Sequence, residues 1–150
     1  MKVKLVLFVT GFCLIVLSAG IFNPSVSPQQ KKPETHELII EKIKIEKEYV
    51  WKVAYKEDST RTKVVVHKND RITWTVKNSN AYFQFPKKIL RAVGPPDSLK
   101  KGYTKFLMKG KPLRLTVSAK ADTGTYVYAV FITADSVFAE GDTPPKIIIR

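Results

Sequence analysis

From about residue 38 onward, apolar and polar residues alternate in short runs. Ile72, Trp74 and Val76 are separated by Thr73 and Thr75 and flanked by Arg71 and Lys77. A period of two over that length predicts a strand with one buried and one wet face. Leu113, Leu115 and Val117 repeat the pattern against Arg114, Thr116 and Ser118. Val64, Val65 and Val66 form a short β-branched run, and Lys68, Asn69 and Asp70 supply turn chemistry after it. Upstream, Ile43, Ile45, Tyr49, Trp51, Val53 and Tyr55 fall on alternate positions among Lys44, Glu46, Glu48 and Lys52. That predicts a strand broken near Lys47, although a helix over 38–48 competes with it. Residues 125–132 read as apolar on both faces, as in a central strand, and residues 146–150 as a last short strand. Between Tyr82 and Lys111 the chain makes a poorly periodic excursion through Pro86, Gly94, Pro95, Pro96 and Gly102. Short strands, turn signals and no helix-length pattern together predict an all-β Greek-key sandwich over residues 38–150.

The N-terminus follows another rule. Lys2 and Lys4 precede an apolar run over residues 5–22, broken only by Thr10, Gly11, Ser18 and Gly20. A positive start followed by an apolar helix is the pattern of a secretory signal peptide, and Ser18, Ala19 and Gly20 would suit cleavage after Ala19 or Gly20. The run exceeds the roughly 7–15 residues of a signal core and reaches the roughly 17–25 needed to span a bilayer. Residues 1–22 are therefore expected to be a signal peptide or a retained transmembrane anchor. Either would place the rest of the chain outside the membrane, periplasmic or extracellular, and an anchor would associate with the membrane through residues 5–22. Residues 23–37 hold three prolines and no apolar period, and read as a linker.

Chemistry narrows the picture mainly by exclusion. Cys13, within the apolar run, is the only cysteine, so the domain can form no disulfide and offers no thiolate as nucleophile or metal ligand. Of two histidines, His36 falls in the linker and His67 beside the predicted turn. No nucleophile elbow, zinc-protease helix or phosphate-cradling loop occurs, so no enzyme, metal or cofactor is expected. Asp135, Glu140 and Asp142 share one loop, but their spacing fits no calcium loop, and a solvated acidic loop is expected. Trp74 and Tyr126 are expected in the core.

VVVHKNDRITWTVKN (64–78), ADTGTYVYAV (121–130) and GDTPPKIIIR (141–150) together resemble a cupredoxin: a β-run, an Asn-Asp turn, a tryptophan strand leading to an asparagine, the approach to a copper loop, and a closing strand. EYVWKVAY (48–55) as first strand, behind an anchor, is more loosely similar to the exported part of oxidase subunit II. The resemblance implies fold only. A blue-copper site needs two imidazoles and a thiolate. Here the stretch after Asn78 is SNAYFQFP, the expected cysteine position falls at Ala129 or Val130, and residues 133–145 hold neither histidine nor methionine. Asp122, Gly124 and Tyr126 also resemble the tyrosine corner of immunoglobulin-like domains, which leaves that sandwich as the alternative.

The net charge of +13 is concentrated. Residues 31–60 carry seven basic and seven acidic side chains, whereas residues 87–114 carry nine basic ones against Asp97 alone. Lys87, Lys88, Arg91, Lys100, Lys101, Lys105, Lys109 and Lys111 are therefore the expected contacts to an anionic surface. The competing reading is a merely solubilising face. The functional expectation is a non-catalytic interaction domain of the cell envelope, on a cupredoxin-like scaffold without copper. Its partner would be a protein or an anionic envelope component, and nucleic acid is not expected. The alternative is an accessory, membrane-anchored subunit of a respiratory or metal-handling complex.

Overall fold

The computed structural model describes residues 31–94, 104–141 and 144–150; the apolar segment 1–22 lies outside them. Among the described residues, twelve strands and one helical turn follow in order: β1 (Thr35–Ile45), β2 (Glu48–Tyr55), β3 (Val64–Val66), β4 (Arg71–Val76), β5 (Ala81–Gln84), α1 (Ile89–Ala92), β6 (Val93–Gly94), β7 (Thr104–Leu107), β8 (Pro112–Val117), β9 (Gly124–Val127), β10 (Ala129–Ile132), β11 (Val137–Phe138) and β12 (Lys146–Ile149). One layer has the order β2-β1-β4-β8-β6. The other is made of β11-β10-β5-β7 and β3-β12-β9. These two pieces join because β9 and β10 are one extended run, interrupted only at Tyr128, whose amide donates to the Pro145 carbonyl (2.9 Å).

β4 and β8 are neighbours in the first layer, while β5 and β7, which lie between them in sequence, are neighbours in the second. The chain thus crosses between layers and returns, as a Greek-key sandwich requires. Each layer also contains one parallel pairing, β1 with β4 and β3 with β12. That departs from the two antiparallel sheets of a constant-type immunoglobulin domain.

Several expected boundaries move, each for a physical reason. The region 38–55 is neither a helix nor one broken strand but a hairpin. Ile45 pairs with Glu48 across a two-residue turn, and Glu46 takes the positive φ of 53° that mirror-image hairpin turns need. The hairpin inverts the expected facing on β1. There the inward set is His36, Leu38 and Ile40, whereas Ile45 and Tyr49 are exposed near the turn. β1 begins at Thr35, inside the stretch read as linker, because pairing to β4 starts at Thr35 opposite Arg71. Residues 125–132 are not apolar on two buried faces either. Tyr126, Tyr128, Val130 and Ile132 point inward and Val127 lies exposed.

The core is aromatic at its centre. Trp74 is fully buried, with the rings of Phe83, Phe85 and Tyr128 all within 6.0 Å, centroid to centroid. Its indole N–H donates to the Tyr128 hydroxyl at 3.0 Å, so two polar atoms that burial would otherwise penalise satisfy each other. Burial pushes the Tyr128 phenol well above the ordinary tyrosine range. Tyr126 closes the 118–126 corner by donating its hydroxyl to the Asp122 carbonyl at 2.9 Å, the corner geometry its spacing suggested.

Trp74→Ala should lower unfolding stability by roughly 3–5 kcal/mol, the range for deleting a large buried aromatic. Urea melts of residues 31–150 read this directly. A loss below about 1 kcal/mol, within the range of surface substitutions, would contradict the packing described.

Candidate functional site

Strand pairing gives the sandwich two distinct ends. At one lie the β3–β4 turn and the start of β1; at the other lie the β4–β5, β7–β8 and β10–β11 connections.

The first end is organised by a buried carboxylate. Asn69 adopts φ 73°, which lets Lys68 and Asn69 turn the chain and brings the Asp70 amide to the His67 carbonyl (3.1 Å). The Asp70 side chain then accepts from the Glu34 amide (2.9 Å), the His67 amide (2.7 Å) and the His36 Nε2 (3.0 Å). His36 Nδ1 meets the Tyr55 hydroxyl at 3.2 Å, and the Arg61 guanidinium lies 4.0 Å over the Tyr55 ring. His36 is therefore no linker residue: it is 7% exposed and fixed on both ring nitrogens. His67, beside the turn as expected, is half-buried, and its Nδ1 is buried with no hydrogen-bond partner, 3.7 Å from Asp70. Burial pushes the Asp70 carboxyl up, but the two backbone donors and His36 outweigh it and hold the group below the usual carboxylate range.

The second end holds the loops that, by the cupredoxin resemblance, would frame a copper site. The Asn80 carbonyl accepts from the Thr133 amide and hydroxyl (both 3.1 Å) and from the Ser79 hydroxyl (2.7 Å), and Ser79 Oγ accepts from the Ala134 amide (3.2 Å). The Asn80 side chain caps the β7–β8 turn by accepting from the Lys109 amide (2.8 Å). The two loops the resemblance singled out do converge, through hydroxyl, amide and carbonyl groups. β10 runs on to Ile132, so its end lies beyond Ala129 and Val130, and Val130 is a core residue opposite Phe83. Both histidines sit at the opposite end. Among the described residues, no group of three His, Cys, Asp or Glu side chains could hold a metal ion. Asp135 accepts from the Trp51 indole (2.6 Å) and pairs with Lys42 (2.8 Å), and these partners, Lys42 foremost, hold its carboxyl low. Glu140 joins the edge of β2 through its backbone, and Asp142 lies outside the described residues.

Similar solved structures are copper proteins. A multicopper oxidase from Campylobacter jejuni matches over 82% of this chain at 14% identity and TM-score 0.46. A copper-containing nitrite reductase from Thermus scotoductus matches over 79% at 14% identity and TM-score 0.41. This chain spans only 27% of the oxidase and 28% of the reductase. A point mutant of amicyanin, in its reduced state, matches over 79% of this chain and 82% of its own at 14% identity and TM-score 0.35. No protein-family model and no curated protein sequence matches. With every one of these TM-scores below 0.5, the sandwich topology rests on the observed strand pairing.

The basic residues do not gather on one surface. Lys87 and Lys88 follow β5 and line an open groove of about 510 Å³ with Asp122, Thr123 and Tyr126. Lys109 and Lys111 are exposed in the β7–β8 turn, at the other end. Lys105 pairs opposite the inward Phe83 and so lies on the core side of edge strand β7, half-buried. Arg91 is in α1, and Lys100 and Lys101 lie outside the described residues.

An aromatic row, absent from the sequence-based expectations, crosses the outer face of the second layer. Phe138 pairs opposite Phe131, Phe131 opposite Tyr82, and Tyr82 opposite Phe106. Ring centroids are 5.3 Å apart for Phe138 and Phe131, and 4.9 Å for Tyr82 and Phe106. The alternation of Tyr82 with buried Ala81 and Phe83 carries part of this signal. Only the register aligns the four rings.

Replacing Asp70 by Ala should cost roughly 1–3 kcal/mol near neutral pH, because buried donors lose their acceptor. The folded-state carboxyl lies below its unfolded value, so this contribution is complete above the unfolded pKa of about 3.9 and is lost as pH falls through the folded one. Stability of wild type and Asp70→Ala should therefore converge on acidification, as measured by denaturant melts across pH 2–7 (a range of about five units about that pKa). A gap independent of pH would contradict the assignment.

Proposed function

We propose that this chain is a non-catalytic interaction domain of the cell envelope, built on a cupredoxin-like scaffold that carries no copper site and contacts an anionic surface or partner. The observation that carries this reading is the placement of the histidines. Both are grouped around Asp70, while the loops that would frame a blue-copper centre are joined by Ser79, Asn80, Thr133 and Ala134. A thiolate is also required, and the sole cysteine precedes the domain. The apolar run over 5–22 supports an envelope location, and the excess of lysines supports an anionic contact. A fold can persist while its function moves to another surface of it.

Two measurements test the reading. Titrating residues 31–150 with Cu(II) should give no intense thiolate-to-copper band in the visible spectrum; such a band would overturn the copper-free scaffold. Fractionation of cells producing the full chain should recover it with the envelope, and mass spectrometry after gentle extraction should report its N-terminus and co-extracted partners. Recovery in the cytosolic fraction, with residues 1–22 still attached, would overturn the envelope role.

A further inference from the structure

The two layers turn opposite kinds of surface outward. The outer positions of the first layer carry the charges of Glu37, Glu41, Lys52, Arg71 and Arg114, around Ile39 and Ala54, which are buried. The seven strands of the second layer contain no carboxylate at all, and their only charged side chains are Lys105, on the core side, and Lys146. Their outer positions carry the Phe138, Phe131, Tyr82, Phe106 row, with Met108 beyond it at the end of β7; Ala129, Gln84 and Thr104 form the next row, and Val127 lies farther along β9. Phe138 is 63% exposed and Met108 56% exposed. An aromatic row without charges, aligned across four strands, is what binding surfaces have at their centre.

We propose that this face seats on an anionic lipid bilayer, with the aromatic row at headgroup depth and lysines around it at the phosphates. The proposal rests on the envelope reading above and supplies its anionic partner. Charge complementarity selects the occupant. Lys109 and Lys111 follow directly on Met108 and Lys146 stands opposite Val127, so cations flank those two sides of the face, while Lys87 and Lys88 lie past the end of β5 beside Asp122, and Asp135 and Glu140 lie beside Phe138. A second copy would set these cations against their own kind, in a chain of net charge +13. Phenylalanine and tyrosine framed by lysines are the side chains that settle at a membrane–water interface. The strip also meets a backbone condition. β5 and β10 are hydrogen-bonded on both sides, so the centre of the face presents side chains and no unpaired peptide groups to a low-dielectric medium.

The test uses residues 31–150, which hold every described strand pairing and a core of their own. Co-sedimentation is measured with phosphatidylcholine vesicles, with and without phosphatidylglycerol, over a series of salt concentrations. Binding is expected only with the anionic lipid and should weaken steeply with salt. Phe106→Ser with Phe138→Ser should reduce binding about tenfold or more. Lys109→Glu with Lys111→Glu should reduce it about thirtyfold and flatten the salt dependence. Lys44→Glu with Lys52→Glu, on the first layer and its hairpin, should leave it unchanged. Thermal melts confirm that each variant is folded, and the paired Phe substitutions lie outside the core. Equal binding by the aromatic variant and wild type would overturn the proposal, as would binding lost equally in all three. Absence of vesicle binding would also overturn it. If sedimentation then shows a dimer that the Phe variant abolishes, the face joins two copies; if the chain is a monomer that co-extracts with an envelope protein, the face belongs to that partner. Neither result would touch the envelope reading, which only the fractionation can sink.

Discussion

Three donors from two separate stretches of chain converge on the Asp70 carboxylate, and the geometry of the first layer depends on it. Glu34 and His36 bring the beginning of β1, and the His67 amide brings the exit from β3. β1 pairs with β4 in parallel, a connection that no hairpin turn can set. Something other than a local turn must therefore fix its register, and a nearly inaccessible anion with specific donors does so. A shift of one residue would turn Leu38 and Ile40 outward and strand His36 away from its two partners. The arrangement also explains a buried histidine at the edge of a Pro-rich segment: His36 links Tyr55 on β2 to Asp70 beside β4.

The two layers differ in what they turn outward. The first layer has its inner face in the aromatic core and an outer face that carries charges around the buried Ile39 and Ala54. The second layer has the same inner face, but its outer face is crossed by an aromatic row and nearly free of charge. Since both layers share the core around Trp74, folding alone gives no reason for a second apolar face. Its presence is a cost in solubility, and the bilayer contact proposed above is a use that would account for it. The end where two loops meet through Asn80 is by contrast tied up in its own hydrogen bonds, with Trp51 and Lys42 holding Asp135 in the same way. Those groups are already engaged with one another.

How much was legible in the sequence differs by element, and the dividing line is locality. Alternation at Ile72, Trp74 and Val76, the Asn69 turn, the Leu113, Leu115, Val117 strand and the Tyr126 corner were determined by the sequence itself. Each depends on side-chain period or on a few neighbouring residues. The facing of β1, the burial of His36 and the splitting of residues 125–132 between β9 and β10 were decided by pairing partners far along the chain. The same holds for the basic residues: nine cations within 28 positions look like one patch, yet the antiparallel pairing of β5 with β7 sends Lys87 and Lys109 to opposite ends, and its register turns Lys105 toward the core. The aromatic row is the strongest case. Tyr82, Phe106, Phe131 and Phe138 are scattered over more than fifty positions and no period connects them. Only strand register, a property of the tertiary structure, sets them side by side, because hydrogen bonding between strands aligns residues without regard to their separation in sequence.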